Sequence, residues 1–274
     1  MELHNRRILL TGASGGIGSA LAQRLAAAGA RLALAGRRHE ALAQLASSLP
    51  GASIVVADLA TADGCRAAVE QAKASLSGVD VLVHLAGQGS FRCFIDEDAD
   101  AMEQMLRTNC ASAMWLAQAV LPQMTARGDG QLVFCGSVLG ALALPGYTVY
   151  AASKFALRGF SEGLRRELAD SGVSVTYVAP RAVRTALNPP EVYEMAKATR
   201  MAVDTPEAVA EQILAAMRRD AREAVLGWPE SWFVRLNALW PALVDRAMRK
   251  QAEVVRRFAK PHPTQQAQPE QQTS

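Results

Sequence analysis

Short apolar runs alternate along the chain with longer segments whose apolar residues recur at helical spacing. Between the runs, residues such as Leu21, Leu25 and Ala28 lie three or four positions apart, which is typical of one face of an α-helix. Apolar strands separated by helices predict a parallel sheet covered on both faces. Because crossovers between parallel strands are right-handed, we expect an α/β fold with a single doubly wound parallel sheet. The runs occupy residues 7–10, 31–35, 54–57, 79–85, 131–135, 173–178 and 223–226.

Three segments depart from this alternation. Residues 188–205 follow the sixth predicted strand with weak periodicity, and we interpret them as a lid or a substrate loop. Residues 228–260 follow the last predicted strand and are expected to form a helical C-terminal extension. Residues 261–274 are rich in glutamine and proline and are predicted to be a disordered tail. The remaining residues, 1–227, are therefore expected to form one domain.

Composition narrows the classes of function. Half of the 274 residues are apolar, which is enough for a substantial core, and the formal net charge of +3 is too small to indicate a nucleic-acid partner. No apolar run approaches the ~20 residues of a spanning helix, and the polar start leads us to expect no signal peptide. The cysteines lack metal-site spacing, so we expect no metal and free thiols in a reducing cytoplasm. They are Cys65, Cys93, Cys110 and Cys135.

The first predicted strand ends in a glycine-rich turn, TGASGGIG at residues 11–18, and a helix follows directly. Glycines let the backbone approach a pyrophosphate closely, and the first turn of the helix offers free N–H groups and a positive dipole end. Such a turn can also be purely structural. Its place after the first strand and before a helix favours a dinucleotide-binding site.

The end of the second predicted strand carries no acidic residue. Gly36 is followed by Arg37 and Arg38, where NAD-binding folds often place a carboxylate on the ribose 2′-hydroxyl. Two guanidinium groups suit a 2′-phosphate instead. We therefore expect NADP(H) as the preferred cofactor and NAD(H) as the alternative. The competing interpretation is that both arginines only begin a solvated helix.

A set of residues suited to proton transfer follows the fifth predicted strand. Ser137 ends that strand, and Tyr150 and Lys154 are four residues apart, so they share one helix face. A phenol has an ordinary pKa near 10, and a nearby ammonium group lowers it. The three side chains can act as proton donor or acceptor, its tuner and an orienting hydrogen bond. A tyrosine–lysine pair alone can be a surface contact; the serine and the upstream glycines favour catalysis.

Together these motifs resemble the short-chain dehydrogenase/reductase family over about residues 5–227. The matching elements are the TGxxxGxG turn, the Asp-Leu pair after the third strand, an asparagine in the fifth helix, the serine and the YxxxK motif. The resemblance implies a Rossmann-like domain over residues 1–227 that binds the dinucleotide and carries catalysis. It also implies an oxidoreductase that moves a hydride between nicotinamide and a carbonyl or alcohol.

The resemblance further implies roles for single residues. Asn109, Ser137, Tyr150 and Lys154 would form a catalytic tetrad, in which Asn109 holds a water that links Lys154 to solvent. Asp58 would bond the adenine, and Lys154 would also bind the nicotinamide ribose. The full set of expected cofactor contacts is Gly12, Ser14, Gly16, Ile17, Gly18, Arg37, Arg38, Asp58, Leu59, Ala86, Gly87, Tyr150, Lys154, Pro180, Val183 and Thr185.

Two positions depart from the family pattern. The family usually has Asn-Asn-Ala-Gly after the fourth strand, where residues 84–87 read HLAG. We expect a local rearrangement there, with His84 in the core or at the strand end and not in catalysis. The family has Pro-Gly after the sixth strand, where Pro180 is followed by Arg181. That arginine is expected to crowd or charge the nicotinamide end of the pocket.

The predicted substrate side is apolar, which favours a hydrophobic ketone, aldehyde or alcohol. Its candidate residues are Leu139, Leu142, Leu144, Tyr147, Val183 and Leu187.

The predicted C-terminal extension holds three of the four tryptophans and is basic. It should break at Pro229 and Pro241. We expect it to pack on the domain, on a second subunit or over the substrate; the alternative is peripheral contact with the inner face of a membrane through residues 228–258.

We further expect a homodimer or homotetramer, because two predicted helices would otherwise expose a broad apolar patch. The expected patch residues are Met114, Trp115, Phe155 and Phe160.

Two other functions stay open at this point. One is a dinucleotide-binding regulator that has lost catalysis, against which the serine, tyrosine and lysine argue. The other is an epimerase or dehydratase relative, for which the chain is short.

Overall fold

The computed structural model describes residues 1–259, apart from the side chain of Lys250. The predicted disordered tail at residues 261–274 lies outside these described residues. Within them the chain forms one parallel sheet with the strand order β3–β2–β1–β4–β5–β6–β7, which confirms the doubly wound prediction. The strands are β1 (Arg7–Thr11), β2 (Arg31–Gly36), β3 (Ser53–Val56), β4 (Val81–His84), β5 (Gly130–Cys135), β6 (Val173–Ala179) and β7 (Glu223–Val225).

Helices cover both faces of the sheet, as expected from the alternating pattern. A π-helical turn at Arg107–Ala111 connects two of them without a break in the helical backbone. The helices are α1 (Gly16–Ala27), α2 (His39–Ser47), α3 (Ala62–Leu76), α4 (Ala99–Leu106), α5 (Ser112–Arg127), α6 (Thr148–Glu167), α7 (Pro190–Thr199), α8 (Pro206–Arg218), α9 (Glu230–Leu239) and α10 (Pro241–Phe258).

The central strand β1 divides the core into two layers. Ile8 and Leu10 pack in a cluster with residues of α1 and α8, whereas Leu9 packs on the other face with residues of α3, α5 and α6. Successive side chains of a strand point to opposite faces, so one strand supplies both layers. Each fully buried aliphatic side chain of this kind stabilises the fold by about 1.5–3 kcal/mol.

The strand order creates a crevice at the carboxyl ends of β1 and β4. The chain runs outward from β1 through β2 to β3, then returns to place β4 on the other side of β1, where Leu9 pairs with both Ala33 and Leu82. Loops that leave these two strands therefore diverge to opposite sides of the sheet. The glycine-rich turn and the segment after His84 meet at this crevice.

The C-terminal extension packs on the domain as two helices. Pro229 precedes α9 and Pro241 begins α10, so the two prolines separate the pieces as expected. Val234 of α9 and Val244 of α10 pack against Val138, beside the end of β5. Further along α10, aliphatic residues enter a second cluster with Phe91, Tyr147 and Val192. The division of domains at residue 227 stays a prediction.

The structure adds to one sequence expectation and corrects another. The segment at residues 188–205, interpreted as a lid or a substrate loop, contains a helix, α7, that packs against α10; its role stays a prediction. Of the expected apolar patch, Met114 and Phe155 are exposed, but Trp115 and Phe160 pack against the core. Phe160 makes an edge contact with the ring of Phe134 at 5.5 Å between centroids.

Candidate functional site

The glycine-rich turn packs tightly against the segment that follows β4. Gly12 has a φ of +65°, and a Cβ there would lie 2.7 Å from the Ala86 backbone nitrogen. A Cβ on Gly18 would collide with the carbonyl oxygen of Gly12. Both positions therefore require glycine. The tight turn leaves the start of α1 open, with no side-chain cap on its first N–H groups, as an anion site requires.

The neighbouring strand ends carry the groups expected near the adenosine ribose. Arg37 and Arg38 follow β2, are exposed, and have no ion-pair partner among residues 1–259. Asp58 follows β3, and one of its carboxylate oxygens accepts a hydrogen bond of 3.0 Å from the Ala60 N–H. That bond fixes the turn and holds the carboxylate at the edge of the same crevice.

The three proton-transfer residues meet at the carboxyl end of β5. Ser137 follows that strand, whereas Tyr150 and Lys154 lie one turn apart on α6. The Ser137 hydroxyl faces the Tyr150 phenol and lowers the pKa of that phenol. The Lys154 Nζ donates to the Cys135 carbonyl oxygen at 3.1 Å and lies 5.7 Å from the centroid of the Tyr150 ring. The structure thus brings Ser137 to a tyrosine and a lysine that lie 13 and 17 positions further along the sequence.

Burial dominates the ionisation of this cluster. It raises the pKa of Tyr150 above its ordinary value, and the neighbouring Ser137 only partly offsets this. Burial also lowers the pKa of Lys154. The expectation that the pKa of the phenol is lowered is therefore wrong, because desolvation of the charged form is the largest effect on it. The phenol consequently carries its proton at neutral pH.

Asn109 lies in the π-helical turn and is held by three hydrogen bonds. Its Oδ1 accepts from the Gln88 N–H at 2.7 Å, and its Nδ2 donates to the Gln88 carbonyl at 2.8 Å. Nδ2 also donates to the Ser153 hydroxyl at 2.9 Å, which in turn donates to the Tyr150 carbonyl. Asn109 therefore joins the segment after β4 to the helix that carries Tyr150. Sequence reasoning missed Ser153, although it lies inside the YxxxK motif.

One cavity of about 900 Å³ runs along the carboxyl edge of the sheet. It is lined by every residue of the expected cofactor set and by all six expected substrate-side residues. Of the expected tetrad, Ser137, Tyr150 and Lys154 line it, whereas Asn109 lies fully buried behind Gln88. Sequence reasoning missed the lining residues Gln88, Phe91, Val192 and Met201.

The loop after β6 crosses the cavity beside the glycine-rich turn. A Cβ on Gly16 would lie 2.9 Å from the Thr185 Cγ2, so the two segments are in close contact. Tyr193 of α7 fixes Thr185 by accepting from its N–H at 3.0 Å and donating to its carbonyl at 2.8 Å. No sequence signal indicated Tyr193. Its role depends on how α7 folds back over the loop.

His84 occupies the first departure from the family pattern and is fully buried at the end of β4. Its Nε2 lies 2.7 Å from the Ser112 hydroxyl, which itself donates to the Thr108 carbonyl. Nε2 is therefore the protonated nitrogen. The Nδ1 atom has no hydrogen-bond partner among residues 1–259. Burial lowers the pKa of His84 to about 3, so the ring is neutral, and it lies in the core at the strand end as expected.

Arg181 occupies the second departure, and its charge is paired. The guanidinium bonds Asp204 and Glu230 and also donates to the Trp228 carbonyl oxygen at 3.1 Å. The hydrogen bond to Asp204, together with that to Glu230, raises the pKa of Arg181 above its ordinary value. The charge that Arg181 was expected to bring to the nicotinamide end is therefore balanced by two carboxylates distant in sequence, whereas crowding of that end by its side chain stays a prediction. Arg181 still lines the cavity with Glu230.

Within residues 1–259 no cluster of histidine, cysteine, aspartate and glutamate is arranged to hold a metal ion. No helix in that range is long and apolar enough to cross a membrane. All four cysteines are free thiols, and three of them are buried.

Comparisons of sequence point to one family. A family model described as short chain dehydrogenase matches residues 6–195. Dehydrogenase/reductase SDR family member 7B from Bos taurus is 33% identical over 272 residues, which cover 93% of this chain and 84% of that protein. Nodulation protein G from Rhizobium meliloti is 38% identical over 190 residues, which cover 68% of this chain and 76% of that protein.

Solved structures show the same architecture. A short-chain dehydrogenase from Streptomyces avermitilis superposes with a TM-score of 0.77 at 29% identity, covering 91% of this chain and 99% of that one. A short-chain dehydrogenase/reductase from Burkholderia phymatum, solved in complex with NAD, superposes with a TM-score of 0.81. It is 22% identical and covers 89% of this chain and 96% of that one, and the likeness is one of fold.

Proposed function

The chain belongs to the short-chain dehydrogenase family, and from that premise we propose an NADP(H)-dependent enzyme that transfers a hydride between nicotinamide and an apolar carbonyl or alcohol. Membership of the family makes it an oxidoreductase that binds a nicotinamide dinucleotide. One observation carries the finer proposal. A single cavity holds a glycine-rich turn and two free arginines at one end and the Ser137–Tyr150 pair beside apolar side chains at the other.

The residues present fit a dinucleotide. The turn at Gly12 and Gly18 tolerates no side chain, so its backbone can approach a pyrophosphate, and the start of α1 offers N–H groups to the same anion. Asp58 and Leu59 would hold the adenine. Lys154 has three donors, of which one is bonded to the Cys135 carbonyl, and the others would hold ribose hydroxyls.

Arg37 and Arg38 support NADP(H) over NAD(H). Neither guanidinium has an ion-pair partner in the described chain, so both can turn to a phosphate without breaking an existing bond. A planar guanidinium binds phosphate with two parallel hydrogen bonds. A free ribose 2′-hydroxyl, in contrast, finds no carboxylate at the end of β2.

Tyr150 is the proposed proton donor in reduction and acceptor in oxidation. A bound nicotinamide supplies or removes the hydride. Tyr150 holds its proton at neutral pH because burial raises its pKa, so it can protonate the oxygen of a carbonyl as that oxygen gains negative charge. Ser137, which lines the same cavity beside Tyr150, would orient the substrate oxygen. Asn109 and Ser153 hold the start of α6 in register with these groups.

The lining of the substrate end supports an apolar substrate. Leu142, Tyr147 and Val192 are almost fully buried there and present hydrocarbon to the cavity. Such a surface excludes water from around the phenol, which strengthens its hydrogen bonds to a developing charge. Phe91 also lines the cavity, and its ring lies tilted against that of Tyr147 at 4.9 Å between ring centroids.

We also propose a cytoplasmic homo-oligomer. The cysteines are free thiols, which supports a reducing compartment such as the cytoplasm. Met114 on α5 and Phe155 on α6 are each about two-fifths exposed, and a second subunit would cover them.

The test is turnover of a matched carbonyl panel, followed by NADPH absorbance. Each apolar ketone or aldehyde is paired with a hydroxylated analogue of similar size, and each pair is repeated with NADH. We expect consumption of NADPH with apolar members and a higher kcat/KM than for their polar partners. Tight NADPH binding without turnover of any member would indicate a regulator instead. Isomerisation or loss of water with no net change in NADPH would indicate the epimerase or dehydratase relative.

A further inference from the structure

The α9 helix presents large apolar side chains on the face that points away from the domain, with the exposed Arg235 between them. Its inner face carries Val234, which is buried, and Asn237, whose amide donates to the Ala141 carbonyl at 3.0 Å. The opposite face carries Trp232 and Leu239, which are seven positions apart and therefore lie one above the other. They are 62% and 68% exposed. An amphipathic surface helix normally has charged residues in these positions.

Exposed apolar side chains concentrate around this helix. Three of the four tryptophans, at positions 228, 232 and 240, are 77%, 62% and 62% exposed. Phe233 and Leu243 are also largely exposed. Soluble proteins rarely expose a cluster of this size unless it is an interaction site. Tryptophan in particular favours a boundary where one side is apolar and the other is wet.

The next helix, α10, presents a basic face. Its inner face packs Val244 and Val255 against the domain. The outer face carries four exposed arginines and two exposed acidic residues, Asp245 and Glu253, so it has a positive net charge. Glu253 is paired with Arg257. The arginines are Arg246, Arg249, Arg256 and Arg257. An apolar, tryptophan-bearing helix is thus followed directly by a cationic one.

We infer that α9 and α10 dock on the surface of an anionic lipid bilayer. The tryptophans and Leu239 enter the interface between headgroups and acyl chains, where such side chains concentrate. The arginines of α10 lie against the lipid phosphates, whose negative charge they complement. The helices lie along the surface, because their inner faces stay packed on the domain.

Charge favours this occupant over a second copy of the chain. A two-fold contact brings the same patch of both subunits together. It would therefore set one row of α10 arginines near the other, and like charges repel at short range in a partly buried contact. An anionic bilayer offers the opposite sign along the whole row.

Docking here would bring the substrate end of the cavity to the bilayer. Val234 and Val244 pack against Val138 and Leu142, which line or flank that end. An apolar molecule leaving the membrane would then have a short path to Tyr150. The docking itself does not rest on the proposed reaction, since it is measured without turnover.

Vesicle flotation tests the inference with the full chain. Vesicles of phosphatidylcholine are compared with vesicles of equal parts phosphatidylcholine and phosphatidylglycerol. We expect binding to the mixed vesicles to be at least about ten-fold tighter and to shift tryptophan emission to the blue. Equal binding to both compositions, or no binding to the mixed vesicles, would overturn the inference.

Two variants identify the surface. Trp232→Ser with Trp240→Ser should lose most vesicle binding, whereas Val56→Ser, an exposed residue on the opposite edge strand, should keep it. Arg246→Gln with Arg249→Gln and Arg256→Gln should weaken binding about ten-fold or more. The same change at Arg66, Arg166 and Arg219, which are exposed elsewhere, should weaken it much less.

Folding of each variant is checked by NADPH affinity and by thermal unfolding, because these side chains are exposed and should affect neither. A tryptophan variant that folds and still binds mixed vesicles like the unmodified chain would overturn the inference. So would a tryptophan variant that becomes monomeric where the unmodified chain is dimeric, if neither binds vesicles. That result would assign the face to a second copy.

Discussion

Arg181 and Asp204 form a two-pronged ion pair, with the guanidinium Nε 2.9 Å from Oδ2 and Nη2 2.7 Å from Oδ1. Both side chains are more than four-fifths buried. Nη1 of the same guanidinium reaches Glu230, the first residue of α9. One side chain at the end of β6 therefore joins the loop before α8 to the start of the C-terminal extension.

Loss of this pair should loosen the extension. We expect Arg181→Gln to lower the free energy of unfolding by about 2–3 kcal/mol, because two partly buried carboxylates lose their partner. It should also raise KM for an apolar substrate more than it lowers kcat, since Glu230 lines the cavity. Denaturant unfolding and steady-state kinetics measure the two effects.

The matched control is Arg24→Gln, which breaks the exposed Arg24–Glu211 pair. Exposed pairs contribute about 0–1 kcal/mol, so this variant should unfold close to the unmodified chain. If Arg181→Gln lowers the free energy of unfolding no more than Arg24→Gln does, the ion pair does not hold the extension. Asp204→Asn and the double variant complete a cycle that isolates the Arg181–Asp204 coupling.

Tyr150→Phe should remove turnover while leaving NADPH affinity nearly unchanged. The phenol supplies the proton, and loss of a general acid costs about 10²–10⁴-fold in rate. Tyr147→Phe removes another phenol from the same cavity and should cost less than about ten-fold, because its ring and packing remain. Turnover of Tyr150→Phe within a few-fold of the unmodified enzyme would exclude Tyr150 as the proton donor.

Arg37→Ala with Arg38→Ala should weaken the binding of NADPH more than the binding of NADH. Each charged hydrogen bond lost to the 2′-phosphate should cost about 1.5–3 kcal/mol, and NADH has no such phosphate. Titration of both cofactors by calorimetry gives the two affinities. Arg219→Ala, an exposed arginine outside the cavity, should change neither. Equal affinities for NADPH and NADH in the unmodified chain would contradict the preference.

His84 should make the fold sensitive to mild acid. Its folded pKa is about 3 against an ordinary 6.5, so below pH 6.5 the unfolded state gains a proton that the folded state cannot take. The contribution of His84 to the free energy of unfolding is therefore fully present above pH 6.5 and is lost progressively toward pH 3. At about pH 5 the loss is about 2 kcal/mol. Denaturant unfolding at neutral and acid pH measures this loss. His84→Asn, which can keep the bond to Ser112, should flatten the difference; an unchanged pH dependence would assign it to other groups.

Light scattering at micromolar concentration should show a dimer or a tetramer. Met114→Glu with Phe155→Glu should shift the chain toward the monomer, because two charges would be buried in the contact. Ile95→Glu, at a residue that is 90% exposed, should leave the assembly intact. A monomeric unmodified chain would contradict the expectation of an oligomer.

The local parts of this protein could be determined from the sequence. Seven apolar runs and the helical spacing between them predicted the sheet, because burial on both faces leaves a continuous apolar strand. The glycine-rich turn and the four-residue spacing of Tyr150 and Lys154 are likewise local, since backbone geometry alone brings the interacting groups together. The roles of these site residues stay predictions that the variants above test.

Relationships across the fold were decided by the tertiary structure. The sequence did not show what pairs with Arg181, because Asp204 and Glu230 lie 23 and 49 positions away and only the packed fold brings them to it. Likewise, the α7 helix and Tyr193 fix Thr185 through contacts that no spacing predicts. The direction of the Tyr150 pKa depended on how completely the phenol is buried. Sequence distance carries no information on desolvation, so the sign of that shift could be read only once the surrounding elements had packed.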